Sequence, residues 1–194
     1  MTPEQWAEHD AKIRAERERS EAEAAKAARA AAIMKLGLPP RVLEIVAGTT
    51  WPTDATKALE GDALITCLSG NPGNGKTVAA ASWLFKREVG LFVKAAQLAR
   101  WERYSDEKMR LLLGSAALVV DDLGTEYQDV KGNLMALIDE LLDHRYDYRL
   151  PTVLTTNLDA EAFKARYGER IADRIREVGA FVSINAPSFR RTAP

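Results

Sequence analysis

The run Gly70-Asn71-Pro72-Gly73-Asn74-Gly75-Lys76-Thr77 constrains this 194-residue chain more than any other stretch. It follows the pattern Gly, four free positions, then Gly-Lys-Ser/Thr. It stands between an apolar run of strand length, Leu64 to Ser69, and a segment from Val78 to Leu84 that reads as a helix. Strand, glycine-rich loop and helix in that order make a main-chain cradle for phosphate. Backbone N–H groups must approach phosphate oxygens closely, and glycines at 70, 73 and 75 permit this by having no Cβ. The helix start adds the positive end of its dipole. Lys76 is placed to reach the β- and γ-phosphates, and the Thr77 hydroxyl to hold Mg²⁺. The expected cofactors are ATP and Mg²⁺. The expected nucleotide contacts run from Gly70, Asn71, Pro72, Gly73, Asn74 and Gly75 through Lys76 and Thr77 to Val78.

A second signature supports the first. Ala117 to Gly124 is apolar until two adjacent carboxylates, Asp121 and Asp122, appear at its end. Beside a phosphate loop this is a Walker B pattern: Asp121 holds Mg²⁺, mainly through water, and Asp122 orients or deprotonates the attacking water. Glutamate usually takes that last position, so the side chain here is one methylene shorter. Pro151 to Asn157 is a further strand ending in polar residues. Ligands of parallel sheets sit beyond the carboxyl ends of strands, which places Asn157 to sense the γ-phosphate or the lytic water. The candidate catalytic residues in the chain itself are thus Lys76, Asp121, Asp122 and Asn157, and the candidate metal ligands are Thr77 and Asp121.

A formal net charge of -1 provides no overall pull toward nucleic acid or membrane, so any such contact needs a local patch. Cys67, the single cysteine, falls inside the first apolar strand and reads as a core residue. No run of about 18 apolar residues is present, and the charged N-terminus lacks the apolar stretch of a signal peptide. A cytoplasmic protein without a membrane role is expected.

Residues 1–36 are rich in Ala, Glu, Arg and Lys with balanced charge, which predicts a long helix with little to bury. Such a helix is either solvated or docks on a partner through a narrow alanine stripe. Gly37-Leu38-Pro39-Pro40 ends it. Residues 37–60 read as a linker with short helices, and 61–194 as the nucleotide-binding domain. Further strands are expected at Leu91–Ala95 and Ala180–Ile184, with helices over Ala96–Leu113, Asn133–Tyr146 and Phe163–Val178. Strands alternating with helices predict a three-layer α/β/α sandwich around a mostly parallel five-stranded sheet.

The ordered set of motifs resembles the AAA+ ATPases of the DnaC-type helicase-loader family and their IstB-like relatives, from about Leu38 to Arg190. Beyond the loop at 70–77, it comprises Val-Val-Asp-Asp-Leu-Gly at 119–124, Leu-Ile-Asp-Glu-Leu-Leu-Asp-His-Arg-Tyr at 137–146 and Leu-Pro-Thr-Val-Leu-Thr-Thr-Asn at 150–157. Gly-Glu-Arg-Ile-Ala-Asp-Arg-Ile at 168–175 and Ser-Phe-Arg at 188–190 complete it. The resemblance implies a sheet order of 5-1-4-3-2 and ATP bound between neighbouring subunits of a self-assembled oligomer; as a departure from most AAA+ proteins, no helical lid is expected in the few residues after the fifth strand. It implies a catalytic arginine finger at Arg174, with Arg170 the near alternative, and a family arginine at Arg145 without an assigned role. Family members also grip single-stranded DNA between the second and third strands. Here Arg100, Trp101, Arg103, Tyr104, Lys108 and Arg110 mix cations with aromatics, though Trp101 and Tyr104 equally suit a helix core. The implied activity is ATP-driven loading of a DnaB-type replicative ring helicase onto single-stranded DNA, with residues 1–36 as the helicase contact. An IstB-like transposition helper and a nucleotide-switched adaptor with little turnover are the competing readings.

Overall fold

The computed structural model describes residues 3–48, 53–99, 106–125 and 133–189. Its sheet has five strands, all parallel: β1 (Ile65–Gly70), β2 (Leu91–Lys94), β3 (Leu118–Leu123), β4 (Thr152–Thr156) and β5 (Gly179–Ile184). Their order is β2-β3-β4-β1-β5, the order expected from the resemblance. A parallel sheet is buried on both faces, which explains why its strands read as nearly unbroken apolar runs. Successive residues serve opposite cores. Ile65 and Cys67 of β1, Leu118 and Val120 of β3 and Leu154 of β4 face one side; Leu68, Val119 and Val153 face the other. Burial pushes the Cys67 thiol far above its ordinary pKa, so it is an inert core residue.

The helices that cover the two faces follow from the same pattern. On one face lie α2 (Pro40–Gly48), α3 (Asp54–Lys57) and α4 (Lys76–Arg87), contributing Val46, Ala55, Ala80 and Leu84. Residues 37–60, expected as a linker, therefore include helices that belong to the core. Thr53 caps α3, its hydroxyl accepting from the Thr56 N–H at 3.2 Å. The other face carries α5 (Ala95–Ala99), α6 (Asp106–Gly114), α7 (Asn133–Asp147), α8 (Ala160–Tyr167) and α9 (Glu169–Val178).

One helix expectation needs correction. The single helix over Phe163–Val178 is two, α8 and α9, because Gly168 adopts φ 91° and ψ 161°, which no α-helix tolerates. Of the helix expected over Ala96–Leu113, the described residues at its two ends are helical, as α5 and α6. Arg100, Trp101, Arg103 and Tyr104 between them lie outside the described residues, as does Arg190.

The N-terminal helix, α1 (Pro3–Lys35), runs 33 residues. Every residue from Lys12 to Ala31 is exposed. The helix joins the domain near its C-terminal end: Leu36, just beyond it, is buried and accepts a hydrogen bond from the Phe92 N–H at 2.7 Å, and Arg29 pairs with Glu88 at 2.5 Å.

Candidate nucleotide site

β1 runs between β4 and β5 and delivers the phosphate loop at the carboxyl end of the sheet, while α4 carries the chain away from it. The loop is tight where it leaves the strand. Gly70 has φ 141°, and a Cβ there would lie 2.3 Å from the Ile184 carbonyl oxygen, so only glycine fits. Gly75 caps α4 at φ 90°. The Asn74 side chain is buried and bridges within the protein: its Nδ2 donates to the Ile184 carbonyl at 2.7 Å and its Oδ1 accepts from Lys76 at 3.0 Å. Asn74 is thus spent on holding the loop, leaving its main chain to face a ligand. Asn71 and Pro72 are exposed at the loop tip, and Val78 is partly buried in the first turn of α4.

Lys76 is only 5% exposed, and its ammonium group lies inside a ring of oxygens. It donates to the Gly70 carbonyl at 2.6 Å, the Asn71 carbonyl at 3.0 Å and the Asn157 Oδ1 at 3.1 Å, besides Asn74. A lysine buried to this degree needs charge-assisted bonds to stay protonated. Two residues singled out from the sequence 81 positions apart, Lys76 and Asn157, are thereby brought into contact.

Thr77 and the carboxylate pair meet in the same place. The Thr77 hydroxyl donates to Asp121 Oδ1 at 2.8 Å, and the Thr155 hydroxyl donates to the same oxygen at 2.7 Å. Burial is the main influence on Asp121 and raises its pKa; the hydroxyl of Thr155 opposes this, the charge of Asp122 adds to it, and Thr77 and Lys94 oppose it. At Asp122 the backbone turns into the left-handed region, φ 61°, and the β3–β4 register shifts between Val120 and Leu123. A bulge at a strand end re-aims side chains, and aspartate tolerates this φ better than a branched residue. Thr155 stabilises the bulge by accepting from the Asp122 N–H at 2.9 Å.

Thr155 therefore ties both carboxylate residues together, and sequence reasoning did not single it out. The only sequence sign was the polar end of its strand. Its role needs the pairing of β3 with β4, which places residues 34 positions apart side by side.

The donor set fits Mg²⁺ rather than a metal caged by protein. Among the described residues no cluster of three or more His, Cys, Asp or Glu could hold an ion. A hydroxyl and one carboxylate are the hard oxygen ligands that a nucleotide-bound Mg²⁺ uses, the phosphates and water supplying the rest. The buried charge on Asp121 also sets a stability cost. Its folded-state pKa is raised, so the folded chain holds that proton more tightly than the unfolded chain, and stability falls as pH climbs from the ordinary carboxyl range through the raised value. Above that raised value the penalty is present in full. Asp121→Asn keeps the oxygen that both threonines use and removes the charge. A thermal melt of the nucleotide-free variant should show a higher Tm than the wild type, while its ATP affinity should lose most of its Mg²⁺ dependence.

The arginines sit apart from this cluster. Arg170 and Arg174 are one turn apart on α9 and both pair with α7: Arg170 with Asp143 and, at 3.0 Å, with Asp139, and Arg174 with Asp143 and, at 3.9 Å, with Asp139. Arg174 is the more buried, with 24% side-chain exposure against 60% for Arg170. Arg145 is fully buried and structural, bonded to carbonyl groups far from the loop. A cavity of about 200 Å³ bordered by Trp83, Arg87 and Pro151 lies at the amino ends of the strands, the opposite end of the sheet. The Arg87 guanidinium stacks over Trp83 there at 3.9 Å.

No family sequence model and no curated protein sequence matches the chain. Solved structures do. A crystal structure of DnaI superposes with a TM-score of 0.59 at 25% identity, covering 82% of this chain and 99% of that one. A DnaC helicase loader gives 0.54 at 23% identity over 75% of this chain and 86% of that one. The fold is that of the DnaC-type AAA+ ATPases. Within the wider AAA+ group, the replication initiator DnaA, bound to AMPPCP and single-stranded DNA, gives 0.60 at 16% identity over 77% of this chain and 51% of that one. The AAA+ fold brings Lys76, Thr77, Asp121, Asp122 and Asn157 to one end of the sheet, and no helix among the described residues is long and apolar enough to cross a membrane.

Proposed function

We propose that this chain is an ATP-dependent loader that places a DnaB-type replicative ring helicase on single-stranded DNA. The observation that carries the reading is the meeting of Lys76, Thr77, Asp121 and Asn157 at the phosphate loop, in a fold shared with DnaI and a DnaC helicase loader. Bound ATP and Mg²⁺ supply the labile phosphoanhydride and the counter-charge. Main-chain amides of Gly70 to Thr77 hold the phosphates, and Lys76 exchanges its carbonyl partners for phosphate oxygens. Thr77 and Asp121 would hold the metal, which would supply counter-charge to the phosphates. Asp122 orients the attacking water or takes its proton, and Asn157, already bonded to Lys76, reads the terminal phosphate.

Hydrolysis is assigned to an assembly, with Arg174 reaching a neighbour's terminal phosphate and Arg170 the alternative. Within one protomer both guanidiniums are occupied by Asp139 and Asp143. A finger must trade that pairing for a phosphate, so turnover by the free protomer should be slow. Such fingers contribute about 10³–10⁵ in rate. Arg174→Ala should therefore bind ATP normally and hydrolyse it at least about a hundredfold more slowly. Mixing it with Lys76→Ala should restore part of the phosphate release, because one protein retains an intact loop and the other an intact finger. Absence of rescue at every mixing ratio contradicts a shared site.

The solvated surface of α1 suits the helicase contact, since a helix that buries so little of itself is free to dock elsewhere. Lys108 and Arg110 are exposed on α6 on the proposed DNA side. The experiment for the loader assignment is co-elution with the cognate ring helicase in ATP, ADP and no nucleotide. Co-elution lost on removing residues 1–36 supports it; no binding in any nucleotide state removes the helicase role and leaves the ATPase.

A further inference from the structure

Ser188 and Phe189 belong to a motif that neither the phosphate cradle nor the finger uses. After β5 the chain turns back across the phosphate loop as a short strap, residues 185–189, secured at both ends. At one end the Ile184 carbonyl accepts from Asn74 Nδ2 at 2.7 Å; at the other the Phe189 N–H donates to the Gly73 carbonyl at 2.8 Å. The strap and the loop are therefore one unit. The Phe189 ring lies on Gly75: a Cβ at that glycine would meet ring carbons at 3.3 and 3.5 Å. Yet Phe189 is 60% exposed.

A single exposed aromatic means little by itself. Its position is what carries meaning here. The ring is held by the main chain against the last glycine before Lys76, with its other surface open beside the loop. In this motif the loop amides cradle the α- and β-phosphates, so the nucleoside emerges beside the loop, and an apolar ring fixed there supplies what the polar loop lacks, a surface for a base or sugar. We propose that Phe189 is the nucleoside-side wall of the site, packing on the base or ribose of the nucleotide. The inference rests on the nucleotide reading of the loop and adds a residue that recognises the organic end of the ligand. Stacking on an aromatic ring is tolerant of base identity, so Phe189 contributes affinity with little choice between purines.

The test is calorimetric titration of wild type, Phe189→Ala and Phe189→Trp with Mg-ATP and with Mg-tripolyphosphate, which has the phosphates and no nucleoside. Phe189→Ala should weaken ATP about tenfold, within the range measured for base stacking on aromatics, and leave tripolyphosphate within about twofold. Phe189→Trp should keep ATP affinity and show a fluorescence change on adding ATP, absent from the wild type and absent with tripolyphosphate. Equal weakening of both ligands in Phe189→Ala would show that the ring only shapes the loop, and unchanged ATP affinity would show that it does not touch the nucleoside. Either result overturns the proposal while leaving nucleotide binding in place. Failure of the wild type to bind either ligand would instead overturn the nucleotide reading, and this inference with it.

Discussion

Arg145→Ala should be the most destabilising substitution in the domain, lowering unfolding free energy by about 2–5 kcal/mol. The guanidinium is fully buried and, among the described residues, pairs with no carboxylate. Its Nε donates to the Thr152 hydroxyl at 2.6 Å, its Nη1 to the carbonyls of Leu112 and Ser115 at 3.2 and 2.9 Å, and its Nη2 to the Pro151 carbonyl at 2.9 Å. One side chain on α7 thus joins the end of α6, the approach to β3 and the start of β4. Burial lowers its pKa to about 10, which still leaves it charged at neutral pH. Alanine would take a donor from three carbonyl oxygens, of which that of Pro151 keeps the Leu118 N–H at 3.1 Å while those of Leu112 and Ser115 lose the guanidinium, at roughly 1–3 kcal/mol for each that water does not reach, and open a cavity. Lysine cannot restore the network, because it lacks the planar fork that reaches several acceptors at once. Urea unfolding of wild type, Arg145→Ala and Arg145→Lys measures this; a loss under about 1 kcal/mol in Arg145→Ala would show that the bonds are replaced by water.

Lys76→Ala should have the largest effect on ligand binding, weakening ATP by about 10–10²-fold and removing detectable hydrolysis. The figure is that for loss of one hydrogen-bond donor to a charged group, about 1.5–3 kcal/mol. The fold should survive, since the partners left behind include carbonyls at the exposed loop tip that water can satisfy, Asn71 among them. Circular dichroism and a thermal melt separate the two effects. A variant that melts with the wild type yet no longer takes up ATP is the expected outcome; a variant that keeps wild-type affinity would show that the ammonium stays with its carbonyls when nucleotide binds.

Much of this was readable from residues alone because parallel strands buried on both faces leave nothing charged ahead of their carboxyl ends. Ile65–Ser69, Leu118–Val120 and Val153–Leu154 show as apolar runs, and the first polar residues after them mark the ligand end of the sheet. That is why Lys76, Asp121 and Asn157 could be named before their positions were known. Thr155 could not, because its value depends on strand register rather than on local pattern. The break at Gly168 was missed because the apolar positions on either side, Phe163, Tyr167, Ile171 and Ile175, keep helical spacing across it, so periodicity conceals the glycine. The partners of Arg174 were equally hidden. Asp139 and Asp143 read as the polar face of an amphipathic helix, and only the packing of α9 against α7 turns that face into an ion-pair site.

The most direct measurement is equilibrium titration of the wild-type chain with labelled ATP, with Mg²⁺ and with a chelator, at protein concentrations spanning assembly. Saturable uptake near one nucleotide per chain, tightened by Mg²⁺ and lost in Lys76→Ala, is the predicted result. Absence of saturable uptake at every protein concentration, Mg²⁺ included, would contradict the assignment of Gly70–Thr77 as a nucleotide cradle and everything built on it.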